Sequence, residues 1–472
     1  KNTARVFLTH IPYRGTGPAL NDVLAGIAAG VDRYDSSLGG LGGCRRDQQE
    51  GGDRRRHVEM LHWKKLTKKE QIERVQTALS KNVNFAKDTT LGYPASKLDG
   101  KVFYTDAPFL KDAPVLTTFV ANPNHIGCHT FGKSESAFVG THEIERETLD
   151  ILAIDVFGSK KDQYDGYIAT GGTEANIQAM WMYRNYFMNN FGAKASEIVL
   201  VASEDTHYSI AKGSNLLMLD WIKVPVTFDN RKIHTAAFEN QLLEAQKQGK
   251  KYFIVFCNMG STMFGSVDHP HDYISVLEKY HLKFKMHVDA AYGGFVYPFL
   301  TKENLLSFKN PAISSITIDA HKMLQAPYGT GIFLCRKGLI ENVLTKEAAY
   351  VEGMDLTLSG SRSGANAIAI WMILSTYGPD GWFEKVKVLQ MRTDWLCKQL
   401  DELNISYFRE PAMNIVTIKA CHIPTALAHE FDLVPQKHDS ETNQWYKIVI
   451  MEHVEVDHLS RFLHKLKKNV CH

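Results

Sequence analysis

Between residues 140 and 380 the chain repeats one pattern: a short unbroken apolar run, a polar turn, then a stretch with helical apolar spacing. The runs are "EIVLVAS" (197–203), "KYFIVFCN" (251–258), "FKMHVDAA" (284–291), "SSITIDA" (314–320) and "GIFLC" (331–335). A strand with one wet face alternates apolar and polar residues, whereas a strand covered on both faces reads as continuously apolar. Between them lie helical stretches such as "AAFENQLLEAQKQ"; "THEIERETLDILAIDVF" (141–157) and "GGTEANIQAMWMYRNYFMNNF" (171–191) precede them. The alternation predicts an α/β fold with a mixed, mostly parallel sheet between helices.

Outside this block the pattern changes. Residues 1–43 read as a short structured piece, and "CRRDQQEGGDRRR" (44–56), without a large apolar residue, reads as a junction. "TKKEQIERVQTALSKNV" follows as a helix. After Gly381 come a helix, strands "MNIVTIKA" and "WYKIVIME", and a last helix near 455–468, the layout of a smaller α+β domain. The expected division is 1–59, a fusion-like or poorly ordered segment; 60–120, a helical dimerisation segment; 121–380, the large domain; and 381–472, the small one.

With 472 residues, two or three domains are expected. Hydrophobic content of 44% and charged content of 22% fit a globular protein. A formal net charge of +2 with no long basic stripe speaks against a dedicated nucleic-acid binder. Seven cysteines without a CxxC pair suit a reducing compartment, and no metal is expected. No apolar run reaches the roughly 18 residues of a membrane span, and no secretory leader is visible, so a cytoplasmic location is the default expectation.

Ligands of open α/β sheets sit beyond the carboxyl ends of the strands. Four polar features fall there or at a helix start. "TGGTEAN" (170–176) leads two glycines into a helix, whose free N–H groups suit a phosphate; Gly-Gly is also a plain turn. "SEDTHYS" (203–209) offers His207, able to stack on a flat heteroaromatic ring or to serve as an ordinary loop histidine. "HVDAAYGG" (287–294) ends an apolar run on Asp289, a costly carboxylate unless paired. A protonated pyridine nitrogen would pair it, and small Ala290 and Ala291 leave room for a ring. "DAHK" places Lys322 just past another strand. A lysine there is usually solvated, but burial and a neighbouring cation raise an amine's nucleophilic fraction. Phosphate cradle, stacking histidine, carboxylate and Schiff-base lysine together are the parts of a pyridoxal 5′-phosphate site.

These segments, with "TLSGSRSG" (357–364), resemble in order and spacing the group II pyridoxal-phosphate-dependent amino-acid decarboxylases, over residues 61–469. The resemblance implies fold type I, the fold of the aspartate-aminotransferase-like enzymes, and conversion of an L-amino acid to its amine and carbon dioxide. It implies Lys322 as the lysine that carries the cofactor, Asp289 on the pyridine nitrogen, and Ala291 and His207 on the two ring faces. Gly172, Thr173 and His321 are implied at the phosphate. "NMGSTMFGSVD" (258–268) brings Ser261 and Thr262 beside the ring. Tyr350 stands where a mobile-loop tyrosine protonates the product carbon; the alternative is an ordinary surface aromatic. Ser361 and Arg362 match a motif at the active site, with Arg362 either binding a carboxylate or holding the subunit interface. "NPNHIGCHTFG" (122–132) matches the segment lining the substrate pocket, with His125 as the contact. A homodimer whose sites are completed across the interface is implied, with an amino acid as partner and neither nucleic acid nor membrane. The alternatives are another fold-type-I reaction, transamination or Cβ elimination, and a non-catalytic relic.

Residues 15–44, ending in "GLGGC", resemble a fragment of hydroxymethylglutaryl-CoA lyase, with Cys44 at that enzyme's catalytic cysteine. Ile11, Pro12, Tyr13 and Arg14 stand where the lyase's metal motif belongs, and about forty residues cannot close a barrel of roughly 250. Residues 1–59 are therefore expected to be a fused remnant without lyase activity, with Met60 the original start.

Overall fold

The computed structural model describes residues 60–85, 87–92, 97–348, 351–437 and 442–470. The segment 1–59, with its lyase-like stretch and Cys44, lies outside the described residues, and so does Tyr350.

Seven strands form one sheet: β1 (Tyr164–Ala169), β2 (Ile198–Ser203), β3 (Asp220–Val224), β4 (Tyr252–Asn258), β5 (Lys283–Asp289), β6 (Ile313–Asp319) and β7 (Gly331–Arg336). The order is β1-β7-β6-β5-β4-β2-β3. Strands β3, β2, β4, β5 and β6 run parallel, and β7 is antiparallel to both β6 and β1. Every residue of β1, β2 and β6 is buried, and the nearly unbroken apolar run of β2 is the sequence of a strand covered on both faces. Two strands escape the sequence pattern. In β1, Asp165 and Gly166 interrupt the apolar run, and the buried Asp165 is held by Lys337 Nζ at 2.7 Å and the Gly338 N–H at 2.8 Å. Strand β3 lies at the sheet edge and is half-exposed, so its sequence carries polar residues.

The long helix predicted from "GGTEAN" is α3 (Gly172–Phe191). Its Ala175, Ala179, Met180, Tyr183 and Phe187 join Leu200, Ile254, Phe256 and Phe333 of the sheet in one buried cluster. Ahead of it run α1 (Lys68–Ser80) and α2 (Val139–Asp150). Helix α1 starts with a capping box in which Thr67 and Glu70 satisfy each other's backbone N–H groups. Helices α4 (Ser209–Leu217), α5 (Thr235–Lys247) and α6 (His271–Lys279) connect the parallel strands.

By its internal contacts the chain divides into two compact units, Met391–Tyr407 with Ile418 onward forming the smaller and His57–Gln390 with Phe408–Thr417 the larger. The carboxyl-terminal region carries a four-stranded sheet of β8 (Tyr407–Phe408), β9 (Ile415–Lys419), β10 (Val434–Pro435) and β11 (Trp445–Val449). Its last helix, α8 (Val456–Val470), buries Val456, Leu459, Phe462, Leu463 and Leu466, the stripe of an amphipathic helix. The preceding helix, α7 (Gly364–Glu402), bends at Gly378, whose φ of 63° suits glycine, just ahead of Pro379. Among the described residues no helix is long and apolar enough to cross a membrane.

Candidate active site

The sheet register brings the candidate residues to one edge. Gly331 opens β7 and pairs with Ala169 on one side and Asp319 on the other. The turn after β1 and the turn after β6 are therefore two strands apart and face the same way. They also touch: a Cβ on Gly331 would lie 2.6 Å from the Gly171 Cα, and one on Gly172 would lie 2.8 Å from Asp319 Oδ2. Only glycine fits where two such turns close on each other.

Helix α3 starts at Gly172, so the first N–H groups, including that of Thr173, have no carbonyl within the helix to bond. Glu174 turns back to accept from the Thr170 N–H and hydroxyl, both at 2.6 Å, and from the Tyr167 hydroxyl at 3.1 Å. Beside this turn Lys322 Nζ lies 3.0 Å and His321 Nε2 3.6 Å from Asp319 Oδ2. Asp319 is nearly fully buried, and Lys322 is about one-third exposed at its side chain (34%), so the amine lies at the edge of the site rather than inside it.

On the neighbouring strand, Asp289 ends β5 opposite Asn258 of β4 and is 6% exposed. Its Oδ1 accepts from the Ala291 N–H at 3.1 Å and its Oδ2 from Asn176 Nδ2 at 2.8 Å. His207 follows β2 in a loop tied to β4. Thr206 Oγ1 donates to Asn258 Oδ1 at 3.1 Å, and Asn258 Nδ2 donates to Ser203 Oγ at 3.0 Å. The Ser209 N–H donates to His207 Nδ1 at 3.2 Å, so the ring's proton sits on Nε2. Burial lowers the His207 pKa, with Asp289 opposing and Lys322 adding to the shift. Ser261 pairs with Ser266, Oγ to Oγ 2.6 Å, in the turn after β4 that also holds Thr262.

A second cluster surrounds Glu145 on α2. His125 Nδ1 meets Glu145 Oε2 at 2.7 Å and His125 Nε2 meets Thr141 Oγ1 at 2.9 Å. Arg362 Nη1 donates to Glu145 Oε1 and to the Ile168 carbonyl at 2.9 Å, and Nη2 donates to the Gly127 carbonyl at 2.6 Å. The Ile168 N–H donates to Glu145 Oε1 at 2.8 Å. The pair thus grips both backbone groups of Ile168, two residues before Thr170. Burial alone would raise the Glu145 carboxyl; Arg362, with His125, instead holds it well below the usual carboxylate range. Both terminal nitrogens of Arg362 are bound inside the chain. Ser361 Oγ accepts from Asn124 Nδ2 at 3.1 Å, joining the 122–126 and 361–364 segments.

His125, His129 and His142 are buried together, and each offers a ring nitrogen within 4.8 Å of the others'. His129 and His142 stack at 3.5 Å with no hydrogen-bond partner on either ring. Burial lowers all three pKa values, so the imidazoles are neutral. Three neutral imidazoles are a donor set that suits a divalent ion.

The site fits a flat phosphate-bearing aldehyde. His321 Nδ1 is buried without a protein partner, next to helix N–H groups that also lack one within the helix, and these donors suit a phosphate. Asp289 offers an acceptor that would suit a protonated ring nitrogen, and Lys322 offers a primary amine. Sequence reasoning passed over Asn176, Asp319, Asn258, His287 and Glu145. Asn176, Asp319, Asn258 and His287 all stood in the quoted motifs, and their places at a helix start or strand end were the available signals. Glu145 carried none.

Comparison with known proteins agrees with this geometry. The pyridoxal-dependent decarboxylase conserved domain matches residues 114–419. The tryptophan decarboxylase of Clostridium sporogenes is 54% identical over 409 residues, 87% of this chain and 98% of that protein. Serine decarboxylase 3 of Oryza sativa is 28% identical, over 69% of this chain and 70% of that protein. Among solved structures, L-methionine decarboxylase from Streptomyces sp. 590 superposes with a TM-score of 0.61 at 20% identity, over 84% of this chain and 92% of that one. Mouse CSAD gives 0.60 at 17% identity, over 85% and 98%. The domain match spans more than half of the chain and the bacterial relative nearly its own full length, so the chain belongs to the pyridoxal-dependent decarboxylases and is an amino-acid carboxy-lyase that uses pyridoxal 5′-phosphate.

Proposed function

We propose that the substrate is an aromatic L-amino acid, tryptophan before others, and that Lys322, Asp289 and His207 carry the chemistry. The observation that carries the substrate reading is the 54% identity to a tryptophan decarboxylase along almost its whole length. Relatives at 28–31% identity have names that differ in the amino acid: serine, histidine, aspartate, tyrosine.

The bound cofactor supplies an electron-withdrawing ring that takes up the electron pair left when the Cα–carboxylate bond breaks. Lys322 would hold the cofactor through its amine, and Asp289 would face the ring nitrogen. His207 and Ala291 would cover the two ring faces. Gly172, Thr173 and His321 would receive the phosphate, with Ser261, Thr262 and Ser361 beside it and the ring. Asp319 orients the amine of Lys322. Tyr350 protonates Cα after carbon dioxide leaves. His125, expected at the substrate, has both ring nitrogens engaged by Glu145 and Thr141 and acts from inside the chain. Arg362 acts through Glu145 and the end of β1, since both its terminal nitrogens are engaged there.

The enzyme works as a homodimer in the cytoplasm. Val102, Tyr104, Phe109, Leu116 and Phe119 are 49–65% exposed, an apolar surface within the segment expected to dimerise. None of the five described cysteines is in a disulfide, which supports a reducing compartment.

Incubation with single L-amino acids, following carbon dioxide and amine, tests the substrate. Tryptophan should give the highest kcat/KM, with tryptamine and carbon dioxide in equal amounts. Faster turnover of glutamate or serine would overturn the aromatic assignment, and keto-acid formation in place of carbon dioxide would favour transamination.

A further inference from the structure

Four side chains that touch no expected cofactor atom are joined end to end behind Asp289. Asn176 Nδ2 donates to Asp289 Oδ2 at 2.8 Å and to Ser209 Oγ at 2.9 Å. Asn176 Oδ1 faces His287 Nε2 at 3.0 Å, His287 Nδ1 faces Ser315 Oγ at 2.6 Å, and Ser315 Oγ meets the Tyr183 hydroxyl. All four are 0–1% exposed. They sit on α3, β5 and β6, the rigid elements of the larger unit.

Chemistry fixes the direction of every bond. A carboxylate only accepts, so the Asn176 amide must turn its NH2 toward Asp289 and its oxygen toward His287. His287 then carries its proton on Nε2, and its Nδ1 accepts from the Ser315 hydroxyl, which in turn accepts from Tyr183. Any other His287 tautomer would set two acceptors against each other inside the core, a costly arrangement. Burial also drives the His287 pKa down to about 3, so the ring stays neutral with one donor and one acceptor.

We propose that Asn176 and His287 are positioning residues: the chain from Tyr183 locks the Asn176 amide so that its NH2 holds the Asp289 carboxylate oriented toward the ring nitrogen of the cofactor. The proposal rests on the reading that Asp289 pairs with that nitrogen. Loss of His287 leaves the Asn176 oxygen without its donor, so the amide is fixed from the Asp289 side alone and its hold on the carboxylate loosens, although His287 touches neither cofactor nor substrate.

The test compares binding of pyridoxal 5′-phosphate with binding of its 1-deaza analogue, which has carbon in place of the ring nitrogen, to the full chain freed of cofactor. The variants are Asp289→Ala, Asn176→Ala and His287→Phe. A phenyl ring suits the last site, where His287 lies 4.8 Å from Phe256 and stacks near Phe333. Wild type should prefer the natural cofactor, and Asp289→Ala should lose that preference. His287→Phe and Asn176→Ala should each reduce it about tenfold, the worth of one hydrogen bond to a charged group, while affinity for the deaza analogue stays unchanged. Ser315→Ala, which removes one hydroxyl, carries the test if His287→Phe does not fold. Full preference in the Asn176 and His287 variants, with preference lost in Asp289→Ala, would refute the positioning chain alone. Full preference in Asp289→Ala would refute the nitrogen assignment beneath it.

Discussion

Replacing Gly172 with alanine should damage cofactor binding far more than folding. The added Cβ would lie 2.8 Å from Asp319 Oδ2 and 3.2 Å from both Cγ and Oδ1 of the same carboxylate. The closest contact is about 0.6 Å inside ordinary van der Waals contact, and such overpacking costs about 1–3 kcal/mol. Helix α3 and the end of β6 are backbone fixed by the sheet, so the Asp319 carboxylate is the part that can move. It is also the partner of Lys322 at 3.0 Å. Relief of the clash therefore misplaces the amine and narrows the turn meant for phosphate. At 1.4 kcal/mol per tenfold, cofactor affinity should fall by about five- to a hundredfold. The melting temperature of the apoprotein should drop by only about a few degrees. Absorbance titration with pyridoxal 5′-phosphate and thermal melting of the same preparations read both quantities. Gly100→Ala is the control, since nothing lies within 4 Å of its Cβ. Gly172→Ala with wild-type cofactor affinity would refute the account of this turn.

Other consequences follow from the buried charges. Arg362→Lys keeps the charge but cannot reach Glu145, Ile168 and Gly127 together; unfolding free energy should fall by about 3 kcal/mol, whereas a higher KM at unchanged stability would make Arg362 a substrate clamp. Burial raises the Asp268 pKa to about 7, so the folded form holds a proton that the unfolded chain releases near its ordinary value. Its contribution is fully present below about pH 4 and is lost as pH rises through 7; Asp268→Asn should therefore lose stability relative to wild type as pH falls from 7 to 5, and parallel melting curves across that range would contradict the assignment. The His287 pKa, lowered to about 3 by burial, works the other way: its contribution disappears as pH falls below 6.5, so His287→Phe should soften acid unfolding.

The fold was legible because burial on both faces writes itself as continuous apolar runs, and β2, β4, β5, β6 and β7 all lie on runs read from sequence. Strand β1 was not, because Asp165 breaks the run and its compensation by Lys337 is 172 residues away. The same distance effect hid the surroundings of the site. Lys322, Asp289 and His207 announce themselves as polar residues at strand ends. Asn176 gains its meaning only when α3 lies against β5, 113 residues on, and Glu145 only when Arg362 arrives 217 residues later. His287 looked like a neighbour of Asp289 in sequence; its place two positions earlier on the same strand face is what lets Asn176 bridge the two.

The claim on which the rest depends is that Lys322 carries the cofactor. Borohydride reduction of the holoenzyme, followed by digestion and mass spectrometry, locates the pyridoxyl group directly. The modified lysine should be Lys322, in the peptide "DAHKMLQAP", and the label should be absent from Lys322→Ala. A pyridoxyl group on any other lysine, or an unchanged cofactor spectrum in Lys322→Ala, would contradict it.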